Sequence, residues 1–384
     1  MRILFFSPYF FPYLSGLTIY PLRILTRLGT KYTVKVLTFS HKRGLKKEER
    51  LNRLQIVRMP FLFRISKGFI SPQSISIFSR ELQRADVVII NLPSVEGLWL
   101  AFLARVHGKT VISIYHCNVV ITNNLLGLLA SAVLRFTVWI QLALSTKIIA
   151  TPDYVQSQRF FSRMKKKIVP ILPPIVERSV KASTLSTLLK EKGEKKWVGF
   201  VGRVAAEKGI EYLVGAISHL ATDRNVELIF AGPSGSQVVG EKRYFQQIKI
   251  LLREKNIPYR FFGRVEDEEI GPLYKALDVL VLPSINQTES FGMVQAEAML
   301  SGTPVVASDL PGVRLPIKLT QMGILVSPKN SSKLAEAIRL VLEDRRKFSN
   351  PVSIQKAQEV FAVENVYSFY EHLFSGIHNI TIRK

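Results

Sequence analysis

The 384-residue sequence predicts an α/β protein built from two doubly wound, parallel-sheet domains. Three observations carry that expectation. Short, continuously apolar runs alternate with segments in which apolar residues return every three or four positions. The alternation occurs twice, on either side of a proline- and lysine-bearing stretch at residues 164–180. The length suits two full cores.

In the first predicted domain, residues 1–175, the opening run Arg2–Ser7 is a buried strand. A loop with Pro8, Pro12, Ser15 and Gly16 follows, then a helical pattern at Tyr20, Leu22, Ile24, Leu25 and Leu28. Further strands are expected at Thr33–Phe39, Leu54–Val57, Asp86–Ile90, Thr110–Tyr115 and Lys147–Ala150, with a helix at about Val95–Arg105. Leu125–Leu144 is long and apolar enough to cross a bilayer. Arg135 and Gln141 interrupt it, however, and it stands in phase with the strand–helix–strand rhythm. A buried or surface-seeking helix fits better, one that would widen a membrane-docking face.

The second predicted domain, residues 176–362, begins with Ser183–Lys196, which reads as a polar connector. Strands follow at Trp197–Val201, Val226–Ala231, Tyr259–Phe262, Val279–Leu282, Pro304–Ala307 and Gly323–Val326. Helical patterns occupy Ile210–Leu220, Phe245–Leu252 and Lys333–Leu342, and the acids Glu266–Glu269 suit the positive end of another helix.

Charge is unevenly distributed. The formal net charge is +24, and residues 1–175 hold 25 Lys+Arg against 6 Asp+Glu. A dense basic run extends from His41 to Arg53 and continues through Arg58, Arg64 and Lys67. Such a face attracts nucleic acid, anionic membrane or an anionic acceptor, or is simply a solvated basic surface. Apolar residues follow at once (Met59–Phe63, Phe69, Ile70), a mixture that favours a membrane surface. One cysteine, Cys117, excludes an internal disulfide framework and suits a reducing compartment, and the N-terminus has no secretory-signal pattern.

The stretch with the most chemistry is Glu289–Pro304, E-S-F-G-M-V-Q-A-E-A-M-L-S-G-T-P. Between two strands it reads as a loop and a helix beginning near Phe291. The unpaired amides and positive dipole of such a helix end can hold a phosphate. Gly292 admits close backbone approach. Glu289 stands just outside the helix and Glu297 almost two turns along it, where a carboxylate can accept bonds from a ribose diol. Alternatively, Glu289 serves only the dipole and Glu297 is solvated. Gly202-Arg-Val-Ala-Ala-Glu-Lys-Gly209 offers a fork-shaped and a mobile cation to a diphosphate, or is a plain helix start capped by Glu207. His116 stands at the carboxyl end of a predicted parallel strand, where α/β ligands bind, or is a purely structural histidine.

Together these stretches resemble glycosyltransferase family 4, retaining enzymes of the GT-B fold, in which two Rossmann-like domains face an interdomain cleft. The resemblance rests on Glu-Ser-Phe-Gly, Glu-Ala-Met and Gly-Thr-Pro-Val-Val-Ala-Ser, on Gly202-Arg203, and on Glu207-Lys-Gly209. It implies that Glu289 meets donor-sugar hydroxyls and that Glu297 meets the ribose. Backbone from Phe291 through Gly292 and Met293 to Val294 would meet the diphosphate, which Arg203 and Lys208 clamp beside Gly202. Gly232, in Ala231-Gly-Pro-Ser-Gly235, would border the nucleotide. Gly263, Arg264 and Val265 would meet the base. His116 would stand near the donor sugar, although Cys117 replaces the aspartate that usually follows. Of the family's Pro-x-x-Gly-Gly loop, Pro12-Tyr-Leu-Ser-Gly16 retains Gly16, with Ser15 in place of the first glycine. The amphipathic stretch Val363–Ile377, within a final helix of about 363–384, would cross back to the first domain. Ile175 replaces the usual residue after the linker prolines.

No P-loop pattern, no G-x-G-x-x-G, no D-x-D and no cysteine–histidine zinc spacing occurs. The expectation is a metal-independent enzyme without a cofactor, its substrate a nucleotide sugar (GDP-mannose or a UDP-sugar). The acceptor would be lipid-linked or a growing polysaccharide, and the protein would lie in the cytoplasm at the inner face of the cell membrane. A soluble disaccharide synthase, a nucleotide-sugar epimerase and a basic nucleic-acid-binding protein are the rivals. The last lacks interleaved surface aromatics.

Overall fold

A computed structural model describes residues 1–13, 15–65, 68–119, 125–220, 225–238 and 240–382. Leu14 of the first loop, Lys67 of the basic run and residues 383–384 lie outside the described residues. The chain separates into two units, Met1–Pro174 with Val363–Lys384, and Ile175–Ala362.

The strands of the first unit are β1 (Arg2–Phe6), β2 (Thr33–Phe39), β3 (Glu48–Leu51), β4 (Leu54–Met59), β5 (Phe63–Ile65), β6 (Gly68–Ile70), β7 (Val87–Leu92), β8 (Thr110–Tyr115), β9 (Lys147–Ala150) and β10 (Ile168–Pro170). Eight form one sheet in the order β10-β9-β8-β7-β1-β2-β4-β3, parallel except for the antiparallel edge strand β3. Both faces are covered, which explains why β1 and β7 are apolar at successive positions. Leu4, Phe6, Val88 and Ile90 enter one core with the helices Gln73–Gln83, Gly97–Val106 and Leu125–Leu144. Ile3, Phe5, Val87 and Ile89 enter the other with the helix Gly16–Leu28 and the C-terminal helix Val363–Ile382. That last helix is tied down by Tyr20 and Tyr370, whose hydroxyls are 2.7 Å apart, and by Arg27 Nε donating to Glu371 at 2.7 Å.

The second unit contributes β11 (Lys196–Val201), β12 (Val226–Ala231), β13 (Tyr259–Gly263), β14 (Val279–Leu282), β15 (Val305–Ser308) and β16 (Gly323–Val326). All run parallel, in the order β13-β12-β11-β14-β15-β16. Counted within the unit this is 3-2-1-4-5-6, the doubly wound order of a dinucleotide-binding sheet. Strand direction of growth reverses between β11 and β14, so the loops following those two strands flank the topological switch point. The equivalent place in the first unit lies between β1 and β7.

Two sequence expectations change. Ser183–Lys196 is not a connector: Ala182–Lys192 is helical, packs beside the helix Asp267–Ala276, and buries Leu188. Its apolar signal is only Leu185, Leu188 and Leu189 among Ser, Thr and Lys, too thin to stand out. Lys192 Nζ also reaches Asp278 at 2.7 Å, fastening the helix to the sheet. The helix expected near Phe291 begins two residues later, as Met293–Leu300, with Gly292 at its N-cap in a left-handed conformation. The charged residues of β3 and the hairpin β5–β6 gave no strand signal, because an edge strand and a surface ribbon bury little.

Candidate functional site: loops at the carboxyl ends of the second sheet

Gly202, Gly232 and Gly263 end the neighbouring strands β11, β12 and β13 and are bonded to one another's surroundings. Gly202 N donates to Ala231 O at 2.8 Å, and Gly232 N donates to Gly263 O at 2.6 Å. Gly232 has φ of +134°, and a Cβ there would lie 2.2 Å from Gly202 O. Only glycine lets the two loops approach this closely. The next residues, Arg264 and Val265, run onto the surface, where Arg264 pairs with Glu266 at 3.6 Å.

The loop after β11 is pressed against the loop after β14. Gly209, with φ of +62°, has Pro283 O 2.5 Å from where its Cβ would be. Ile285 N donates to Glu207 O at 3.1 Å. This junction brings two sequence-predicted residues together directly: Lys208 Nζ donates to Glu289 Oε2. Arg203 lies on the same loop and donates to Glu207 Oε1 at 3.0 Å. A cation of each kind, each paired with a carboxylate, and a helix N-terminus therefore lie at the reversal of strand order. Anionic ligands are favoured where fixed positive charge adjoins unpaired helix amides.

Phe291 is buried and Met293 and Val294 are half-buried, and the run Phe291–Val294 forms the entry to the helix Met293–Leu300. Glu297, further along it, is buried. Its Oε1 accepts from Arg178 Nη2 at 3.0 Å and its Oε2 from Tyr274 Oη at 3.2 Å. The two carboxylates of the motif are thus held by different cations, Glu289 by Lys208 and Glu297 by Arg178. Nothing in chain order singles out Arg178. It sits in the proline-bearing linker, where a charged residue ordinarily means solvent.

His116 and Gly16 belong to the first unit. Gly16 opens the helix Gly16–Leu28 behind Ser15, whose backbone N donates to the Thr18 hydroxyl at 3.0 Å. His116 follows β8. Its Nε2 is 2.7 Å from Asn91 Oδ1, and its ring meets Tyr20 edge-on at 5.1 Å. The proton on that contact can be assigned. Asn91 Nδ2 donates to Leu17 O at 2.9 Å and to Ser7 Oγ at 3.1 Å. A carbonyl can only accept, so the amide nitrogen faces Leu17 and its oxygen faces the imidazole. His116 therefore donates from Nε2, leaving Nδ1 as an acceptor. Burial lowers the imidazole's pKa to about 3, so the ring is neutral near neutral pH. Asn91 is a second site residue that the motifs do not include. A polar residue in the apolar run Val87–Leu92 was the available signal.

Residues 185–358 match the profile of the family described as Glycosyl transferases group 1. An uncharacterized glycosyltransferase of Methanocaldococcus jannaschii is 38% identical over 151 residues, 39% of this chain and 37% of that protein. A D-inositol 3-phosphate glycosyltransferase of Corynebacterium glutamicum is 35% identical over 117 residues, 30% of this chain and 27% of that protein. The matched stretch thus spans well under half the length of these curated relatives. Over the whole chain, the fold is similar to a sucrose-phosphate synthase from Thermosynechococcus elongatus, with a TM-score of 0.79 at 21% identity, covering 98% of this chain and 99% of that one. It is also similar to the Anabaena protein HepE in complex with UDP and glucose, with a TM-score of 0.77 at 20% identity, covering 98% and 100%. These likenesses establish the two-domain GT-B fold.

Proposed function

We propose that the chain is a family 4-like, retaining glycosyltransferase, moving a hexosyl unit from a nucleoside-diphosphate sugar to a membrane-associated acceptor, a lipid-linked saccharide or a growing polysaccharide. The observation that carries this is the junction of Arg203, Lys208, Glu289 and the amides before Met293 at the switch point of the second sheet. The Glycosyl transferases group 1 match over residues 185–358, and the UDP and glucose held by the HepE neighbour, support the same reading.

On this proposal, the diphosphate lies against the second unit. Arg203, Lys208 and the helix end stabilise the negative charge that grows as the bond from the anomeric carbon to the phosphate oxygen breaks. Losing one preorganised donor in that role costs on the order of 3 kcal/mol of barrier. The acceptor hydroxyl attacks from the face the phosphate leaves, and its proton passes to the departing phosphate oxygen. Glu289 then holds sugar hydroxyls, Glu297 the ribose, and Gly232, Gly263 and Val265 border the nucleotide. His116, neutral, accepts a hydrogen bond from a hydroxyl at Nδ1 and takes no proton. Two protein cations supply the leaving-group stabilisation, so turnover is expected without added metal or cofactor. The basic first unit suits an enzyme working in the cytoplasm against the anionic inner face of the cell membrane.

The test is release of nucleoside diphosphate from a panel of UDP- and GDP-sugars, with membrane lipid as acceptor. Glu289→Ala, Arg203→Ala and Lys208→Ala should each remain folded and lose turnover about 100-fold or more. Full activity in any two of them contradicts the assignment.

A further inference from the structure

We infer that the helices Gly97–Val106 and Leu125–Leu144 form a platform that lies flat in the surface of an anionic phospholipid bilayer. This deepens the reading of a membrane-held acceptor and rests on it for its purpose, while the surface is read from the first unit alone.

The two helices pack side by side on one face of the first sheet. Their inner faces are ordinary core: Leu100, Ala101 and Ala104 on one, Val138 and Leu142 on the other. Gln141 locks them together by donating from Nε2 to Ser94 O at 2.6 Å. Their outer faces are apolar too. Val95, just before the first helix, and Trp99, Phe102 and Val106 follow at helical spacing and are 39–66% exposed. Leu129, Val133, Phe136 and Trp139 do the same on the second and are 38–63% exposed. The hairpin β5–β6 extends the patch with Leu62, Phe63 and Ile70, and is anchored to the first helix by Phe69 N donating to Glu96. Exposed apolar areas of this continuity mark an interaction surface.

The second helix is long and apolar enough to cross a membrane by length and composition, with 33% of its span buried. It does not leave the domain, because it is the crossover between the parallel neighbours β8 and β9, and Ser113 and Ser145 hydroxyls meet at 2.7 Å at its end. One face is committed to the core and the other is free to dip into lipid, which is the geometry of an interfacial helix.

Charge selects the partner. From Gly97 to Val176 the chain has nine Lys+Arg and a single acid, Asp153. Lys167 Nζ donates to Ala143 O at 2.6 Å, which places the basic turn with exposed Arg163, Lys165 and Lys166 at the end of the second helix. Two copies of such a surface would repel one another, whereas anionic headgroups complement it.

The chain's three tryptophans make the test internal. Trp99 and Trp139 stand on the platform, and Trp197 is fully buried in the second unit. Full-length protein should float with phosphatidylglycerol-containing vesicles, with tryptophan emission quenched by brominated acyl chains, and at least tenfold less with pure phosphatidylcholine. A variant carrying Trp99→Phe and Trp139→Phe should lose the quenching and keep unquenched Trp197 emission. Phe102→Ser with Phe136→Ser, and separately Lys165→Glu with Lys166→Glu, should each lower partitioning at least tenfold. All should keep the wild-type circular dichroism and bind nucleoside diphosphate as wild type does without vesicles. Wild-type partitioning in the double-serine variant overturns the inference, as does flotation with unquenched tryptophans. A dimer in size exclusion that the serine variant abolishes, without any vesicle binding, assigns the face to a second copy instead. Vesicle binding without nucleotide binding leaves this surface intact and removes the proposed reaction.

Discussion

Lys208 is bonded to Glu289, and this pairing yields opposite expectations for its two members. Both side chains are about one-sixth exposed, so the pair is partly desolvated and its attraction is only partly screened. On the proposed function, an incoming diphosphate would draw Lys208 away from Glu289. If Lys208 bonds the phosphates as proposed, Lys208→Ala removes a charge-assisted bond worth about 1.5–3 kcal/mol. That corresponds to a dissociation constant for nucleoside diphosphate weakened about 10- to 150-fold. Glu289→Gln instead removes the competitor for the ammonium and one negative charge beside the phosphates. Nucleoside diphosphate should therefore bind this variant as tightly as wild type, or more so, while sugar transfer collapses. Isothermal titration with UDP and GDP, beside a turnover assay, separates the two quantities. Equal weakening of diphosphate binding by Glu289→Gln and Lys208→Ala would refute the reasoning, because Glu289 would then be acting on the nucleotide or on the fold.

Three further outcomes follow from the geometry. Gly232→Ala should cost about 1–3 kcal/mol in urea unfolding and weaken nucleotide binding, since its Cβ would meet Gly202 O and its φ is positive; an unchanged unfolding midpoint contradicts the close approach. Arg178→Ala should destabilise by about 3–5 kcal/mol by leaving the buried Glu297 carboxylate without its neutralising cation, with the Arg178→Ala/Glu297→Ala double variant losing less than the sum of the singles; additive losses in a double-mutant cycle argue against the pair. His116 has its folded pKa lowered, so the unfolded chain takes up a proton first as pH falls below about 6.5. Its contribution is a stability loss of up to about 1.4 kcal/mol per pH unit on descending from 6.5 toward 3, and His116→Asn should show a shallower decline between pH 7 and 5.

The strands were legible because parallel strands buried on both faces are apolar at every position, as in Val87–Ile90 and Val279–Leu282. The site loops were legible for a different reason. Glycines at strand ends and cations at short spacing, as in Gly202–Gly209, are local requirements that chain order displays. What sequence order could not display was pairing across distance. Arg178 finds Glu297 over 119 positions, and Asn91 orients His116 over 25. Asn91 is marked only as a polar residue in an apolar run, and nothing in chain order names the partner of either. Leu125–Leu144 shows a third limit: a helix apolar around its circumference does not reveal which face the sheet takes. Only packing shows that Val138 and Leu142 turn inward while Phe136 and Trp139 turn out.

The central claim is that the second unit's cation loop and helix end activate a nucleoside-diphosphate sugar for transfer. Incubating the protein with radiolabelled UDP- and GDP-sugars and membrane lipid, then counting label in the organic extract, tests it most directly. Label from at least one donor should enter the lipid phase with wild-type protein and fall about 100-fold with Arg203→Ala. No transfer from any donor, or equal transfer by both proteins, would contradict the account.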